Sequence, residues 1–199
     1  MRLQGDLALP PRPRAMVVFV HGSGSSRRSS RNRAVAAALQ EAGFATLLFD
    51  LLSVEEDRDY ANRFDIGRLT RRLLAVTQWL RADPAIAALP LGYFGASTGA
   101  AAALNAAADL GPQVAAVVSR GGRPDLALEN LPRVRAPTLL IVGGADHEVL
   151  QLNQRAYAAL RCDKELAIVP GATHLFEEPG ALEEVARLAS AWFGRQSHN

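Results

Sequence analysis

Short apolar runs alternate along the chain with longer stretches in which apolar residues return every three or four positions. The runs are Met16–Val20, Ala45–Phe49 and residues 91–94, 114–118, 138–142 and 165–169. They are bounded by Gly, Pro or Asp, which predicts strands buried on both faces, as in a parallel sheet. Between them the period changes to that of a helix. Residues 32–42 are rich in alanine. In 66–80, Ile66, Leu69, Leu73, Val76 and Leu80 form one buried stripe. Thr98–Leu110 consists mostly of alanine, which lets a helix pack closely on several sides. Helices are also predicted at 149–160 and 181–193, the latter turning Leu182, Val185, Ala189 and Trp192 inward. Strand–helix alternation of this kind predicts an α/β fold with a doubly wound, mostly parallel sheet and helices on both faces. No repeat, low-complexity tract or linker interrupts it, so residues 1–199 read as a single domain.

Composition narrows the function classes. With 49% apolar and 21% charged residues, the chain is an ordinary globular sequence. No run reaches the roughly 18 apolar residues that cross a bilayer. The run at 15–20 is too short for a secretory signal and lacks a cleavage-like site, so a cytoplasmic protein with no membrane partner is expected. The single cysteine, Cys162, excludes an intrachain disulfide. The four histidines show no pair at zinc-ligand spacing, so no metal is expected. The net charge is +2, and Lys164 is the only lysine. The densest basic cluster, Arg27, Arg28, Arg31 and Arg33, is too local to predict a nucleic-acid partner.

In a doubly wound sheet, ligands bind beyond the carboxyl ends of the strands. The residues there are His21-Gly22-Ser23-Gly24, Asp50, Gly95-Ala96-Ser97-Thr98-Gly99, Ser119-Arg120, Gly143 to Asp146, and Gly171 to His174. Gly95 to Gly99 fits G-x-S-x-G between a strand and a helix of small residues, the setting of a nucleophile elbow. Ser97 is therefore the candidate nucleophile; a plain turn with Ser97 as helix cap is the alternative. A serine needs a base, and His174 follows the last strand. His147 adjoins the acid candidate, His198 lies near the terminus, and His21 belongs to an earlier loop. Asp146 is the candidate acid, ahead of Asp125 and Glu148, although it could instead cap the following helix. Asp50 is expected to brace a loop. The order Ser, Asp, His matches the triads built on this architecture.

An oxyanion hole needs two backbone N–H groups aimed at the developing charge. Thr98 is expected to give one and Ser23 the other, with Gly24 second to Ser23 and close to substrate. The loop from His21 to Ser26 lacks the Gly-Lys-Ser/Thr end of a phosphate-binding P-loop. Arg120, at the carboxyl edge beside two glycines, is a candidate for binding a substrate anion. Arg27 and Arg31, near the His21–Ser26 loop, could add a positive rim that draws acidic esters. The structural alternatives pair Arg120 with Asp125 or another carboxylate and make 27–33 a solvated helix start.

Through the His21–Ser26 loop, the Gly95–Gly99 elbow, the Gly143–Asp146 turn and the Gly171–His174 loop, the chain resembles the α/β-hydrolase superfamily, specifically its dienelactone hydrolase-like branch. Residues 93–103 and 119–126 resemble small bacterial hydrolase domains that also occur joined to phosphoribosyltransferase domains. The resemblance implies nucleophile, acid and base at Ser97, Asp146 and His174, and no cofactor. True dienelactone hydrolases use a cysteine where Ser97 stands, so the substrate does not follow from the family name. Cys162 lies too far along the chain to substitute. The segment 119–137 is too short for the helical cap of many relatives, which implies an open site. The expected activity is hydrolysis of a small soluble ester, thioester or lactone through an acyl-enzyme. The alternative is a catalytically silent domain that binds a small acidic ligand or a partner protein.

Overall fold

In a computed structural model describing residues 2–197, seven strands form one sheet in the order β1-β3-β2-β4-β5-β6-β7. They are β1 (Gly5–Ala8), β2 (Met16–Val20), β3 (Ala45–Phe49), β4 (Leu91–Ala96), β5 (Ala116–Arg120), β6 (Thr138–Gly143) and β7 (Lys164–Val169). All neighbours are parallel except β1, which runs antiparallel to β3. Helices α1 (Ser30–Glu41) and α5 (Ala181–Gln196) cover one face. Helices α2 (Ile66–Arg81), α3 (Thr98–Leu110) and α4 (His147–Ala159) cover the other.

The two-sided burial follows from strand periodicity. Val18 and Val20 point into the layer shared with Leu69, Leu73 and the α3 alanines. Val17 and Phe19, one residue out of step, point to Val35, Leu39, Val185 and Trp192. Helix α3 is buried nearly all round, and its alanines let it lie close to the sheet. On α2, Leu69, Leu73 and Leu80 are buried as expected, while Ile66 and Val76 are only partly so. Trp192, Val185 and Ala189 face inward on α5, with Leu182 at the margin.

Two differences from the sequence reading have physical causes. Strand β1 is short and largely exposed, so it carries no apolar run to betray it. Strand β5 begins and ends two residues later than expected, which places Ser119 and Arg120 inside the sheet. Between β5 and β6 there are only two short 3₁₀ turns, Pro124–Ala127 and Leu131–Arg133, so no cap covers the carboxyl edge. The strand order reverses between β2 and β4. The crevice beyond their carboxyl ends is where this topology places a site.

Candidate active site

Ser97 sits between β4 and α3 with φ 50° and ψ −124°, a conformation that non-glycine residues seldom adopt. Neighbouring backbone holds it there. Its N–H donates to the Arg120 carbonyl at 3.3 Å, and its own carbonyl accepts from Arg123 N–H at 3.0 Å. So sharp a turn brings α3 onto β2, where a Cβ at Gly99 would run into the Val20 carbonyl. The second glycine of the motif is thus required by close approach of two backbones.

Asp146 and His174 come from different loops that are laced together. Gly144 N–H donates to the Val169 carbonyl at 2.8 Å, and Ala145 N–H to the Ala172 carbonyl at 3.0 Å. Phe176, buried and at φ 56°, anchors the far side of the His174 loop. His174 Nδ1 then lies 2.7 Å from Asp146 Oδ2. A carboxylate only accepts, so Nδ1 carries the hydrogen and Nε2 is left as an acceptor. Asp146 also occupies the N-cap position of α4, but its side chain makes no capping bond there.

The rivals fall elsewhere. Asp125 receives a two-pronged bond from Arg123 at 2.9 and 2.8 Å. His147 and Glu148 are exposed on the first turn of α4. His198 lies outside the described residues. His21 is buried, with Nδ1 2.9 Å from the Gly22 carbonyl and Nε2 accepting from Leu51 N–H at 3.0 Å. Those partners fix a neutral ring, and burial pushes its pKa below the ordinary histidine value. Cys162 is at the amino-terminal end of β6, 3.8 Å from Thr138 Oγ1, with its thiol pKa raised by burial. Asp50 braces the loop after β2 by holding Arg27 through both its backbone N–H and its guanidinium, each at 2.7 Å.

Ser97 and His174 line one pocket of roughly 270 Å³, together with Ser23, Asn32, Arg31 and Arg120. His174 bonds Asp146 but makes no direct hydrogen bond to Ser97; catalytic bonds of this kind often tighten only around substrate. Thr98 N–H, at the start of α3, has no helical partner to satisfy it. Ser23 N–H faces the same region but donates to Thr98 Oγ1 at 2.9 Å. Gly24, expected near substrate, is at φ 66° and lines a separate small cavity with His21 and Leu51. The positive φ turns the loop away from Ser97 at that point.

Arg120 does not pair with Asp125. It is only 7% exposed and donates to Asn32 Oδ1 at 3.2 Å. The register Arg120↔Ile141 directs it to the α1/α5 face, over the Phe176 ring. Arg31, expected as part of a positive rim, does line the pocket, whereas Asn32 and Ser29 beside it at the start of α1 were not singled out from sequence. Only the fold brings that turn across the carboxyl edge.

Comparison with known proteins bears on the family and the fold. The model of the dienelactone hydrolase family matches residues 3–195. A crystal structure of a dienelactone hydrolase from Anabaena variabilis ATCC 29413 is 55% identical with a TM-score of 0.95, covering 98% of this chain and 93% of that one. Est1E from Butyrivibrio proteoclasticus shares the fold, with a TM-score of 0.85 at 16% identity over 99% of this chain and 95% of its own. A Mycobacterium tuberculosis H37Rv protein, named as a candidate phosphoribosyl transferase, is 65% identical over 189 residues. That match spans 95% of this chain and 43% of the relative, so the chain is less than half as long as its curated relative.

Proposed function

The chain belongs to the dienelactone hydrolase family, and from that premise we propose that it is a serine hydrolase cleaving a small ester, thioester or lactone. The observation that carries the reading is the Asp146–His174 pair, opening onto the same pocket as a serine in strained elbow geometry.

In this mechanism Ser97 Oγ attacks the carbonyl carbon while His174 Nε2 takes its proton. Asp146 holds the ring in the required tautomer and stabilises the imidazolium. The oxyanion forms against Thr98 N–H at the positive end of α3, while the Ser23 N–H, bonded to Thr98 Oγ1, holds the neighbouring loop in place. Collapse expels the alcohol, thiol or ring oxygen, which takes the proton from His174. Water then attacks the acyl-Ser97, giving its proton to Nε2, and releases the acid and free Ser97. Neither step needs a cofactor. The open carboxyl edge suits small soluble substrates rather than long acyl chains.

A panel of small esters and lactones tests the reading. Ser97→Ala and His174→Ala should abolish turnover. Asp146→Asn should lower kcat by several orders of magnitude, since loss of a triad acid costs on the order of 10⁴. Turnover that survives Ser97→Ala would refute the reading. A protein that turns over none of the panel while binding small acids would be the silent domain instead.

A further inference from the structure

We propose that the pocket beside Ser97 contains an anion subsite, built by Arg120, Asn32 and the first turn of α1, that takes a phosphate group carried by the substrate. The term substrate rests on the hydrolase reading; the subsite itself is a matter of binding.

Arg120 is the central observation. Its Nη2 donates to Asn32 Oδ1, while Nε and Nη1 are sealed from solvent with no partner. Asp125, the partner considered from sequence, is taken by Arg123. No Asp or Glu lines the pocket. Burial, and secondarily the charge of Arg31, push the guanidinium pKa down to about 10, so it remains charged at neutral pH. A buried charge without a counter-charge is unfavourable, and an apolar side chain would serve packing better. The missing negative charge is therefore assigned to a ligand.

The surroundings specify that ligand. Ser29, the N-cap of the 12-residue helix α1, lines the pocket with Arg31 and Asn32, so the positive end of the helix faces it. With its oxygen engaged by Arg120, the Asn32 amide retains its N–H₂ as a donor. Arg31 adds positive charge at the rim, where its bond to Glu177 at 3.0 Å is largely exposed and therefore weak. Positive charge and donor-bearing side chains thus line the pocket from the end of β5, from Asn32 and from the α1 terminus, where Ser29 Oγ already caps Asn32 N–H. A planar carboxylate offers two oxygens in one plane and fits one such donor set. A tetrahedral phosphate offers three oxygens and close to two negative charges, matching all of them.

Calorimetric titration of the Ser97→Ala protein with inorganic phosphate, with acetate and chloride at equal ionic strength as parallel arms, tests the subsite without turnover. Phosphate should bind at least about tenfold more tightly than acetate, and chloride should not compete. Arg120→Met should lose at least about tenfold in phosphate affinity without lowering the ligand-free Tm. Asn32→Asp covers the case of a variant that folds poorly, because it supplies an internal counter-charge. It should abolish phosphate binding and raise Tm. Acetate binding as tightly as phosphate would overturn the phosphate assignment. Undiminished phosphate binding by either variant, or none by the parent, would overturn the subsite. Phosphate binding with no ester turnover by the wild-type protein would refute the hydrolase reading and leave the subsite standing.

Discussion

The backbone N–H of Ser23 donates to the side-chain oxygen of Thr98 at 2.9 Å, joining the loop after β2 to the first residue of α3. Both residues were expected to give backbone N–H groups to the oxyanion; the Ser23 N–H is taken instead by the Thr98 hydroxyl, which leaves Thr98 N–H as the donor and fixes the loop against it. The hydroxyl is a positioning group, buried at 2% exposure. Thr98→Val keeps the shape but removes the acceptor, releasing the Ser23 loop. Loss of a single oxyanion donor costs about 10²–10³ in kcat, so a misplaced one should cost roughly ten- to a hundredfold, with KM little changed. Thr98→Ser should restore kcat. Steady-state kinetics of the three proteins check this; a Val variant with wild-type kcat would remove the hydroxyl from the account.

Gly22, in the same loop as Ser23, packs closely against the nucleophile. A Cβ there would stand 2.9 Å from Ser97 Cβ and 3.1 Å from the Ala96 carbonyl. Neither neighbour can yield easily, because Ser97 is already held at φ 50°. Gly22→Ala should lower stability by about 1–3 kcal/mol, the usual cost of overpacking, and reduce kcat more than tenfold. Denaturant unfolding and ester kinetics measure the two effects. An alanine variant of full activity would mean that the crowding is relieved without moving Ser97.

His21 predicts how the fold responds to acid. Burial depresses its folded pKa, outweighing the Gly22 carbonyl and the charges of Asp50 and Asp57. The unfolded chain then binds a proton that the folded chain refuses. The corresponding stability is fully present above the unfolded value near ~6.5, and it is lost as pH falls from there towards the depressed folded value. His21→Gln keeps an acceptor for Leu51 N–H but does not titrate. Melting curves should show a steeper loss of Tm below about pH 6.5 in the wild type than in the variant. Parallel curves would mean that His21 is protonated in the folded state.

The parts of the site legible in sequence were those whose cause is local. The elbow shows itself because Gly95, Ser97 and Gly99 are contiguous in one strand–turn–helix unit, Gly95 crowded by Ala100 of the same unit and Gly99 by the adjacent strand β2. Asp146 and His174 were found because each directly follows a strand, and strand ends share one edge. What sequence could not show was the choice between nearby partners. Asp125 lies two residues from Arg123 and five from Arg120, and the shorter reach gives the two-pronged pair. Ser23 stands where an oxyanion donor is expected, yet the fold adds Thr98 Oγ1 as its partner. Asn32 reads as an ordinary helix residue until packing of α1 across the sheet brings it to Ser97.

The central claim, that Ser97 is an activated nucleophile, is tested most directly by labelling with a fluorophosphonate followed by mass mapping of the modified peptide. Such a probe reacts with a serine hydroxyl that a neighbouring base can deprotonate, whatever the natural substrate. A single adduct on Ser97 is expected, lost in Ser97→Ala and in His174→Ala and strongly slowed in Asp146→Asn. An unlabelled wild-type protein, or an adduct on any other residue, would contradict it.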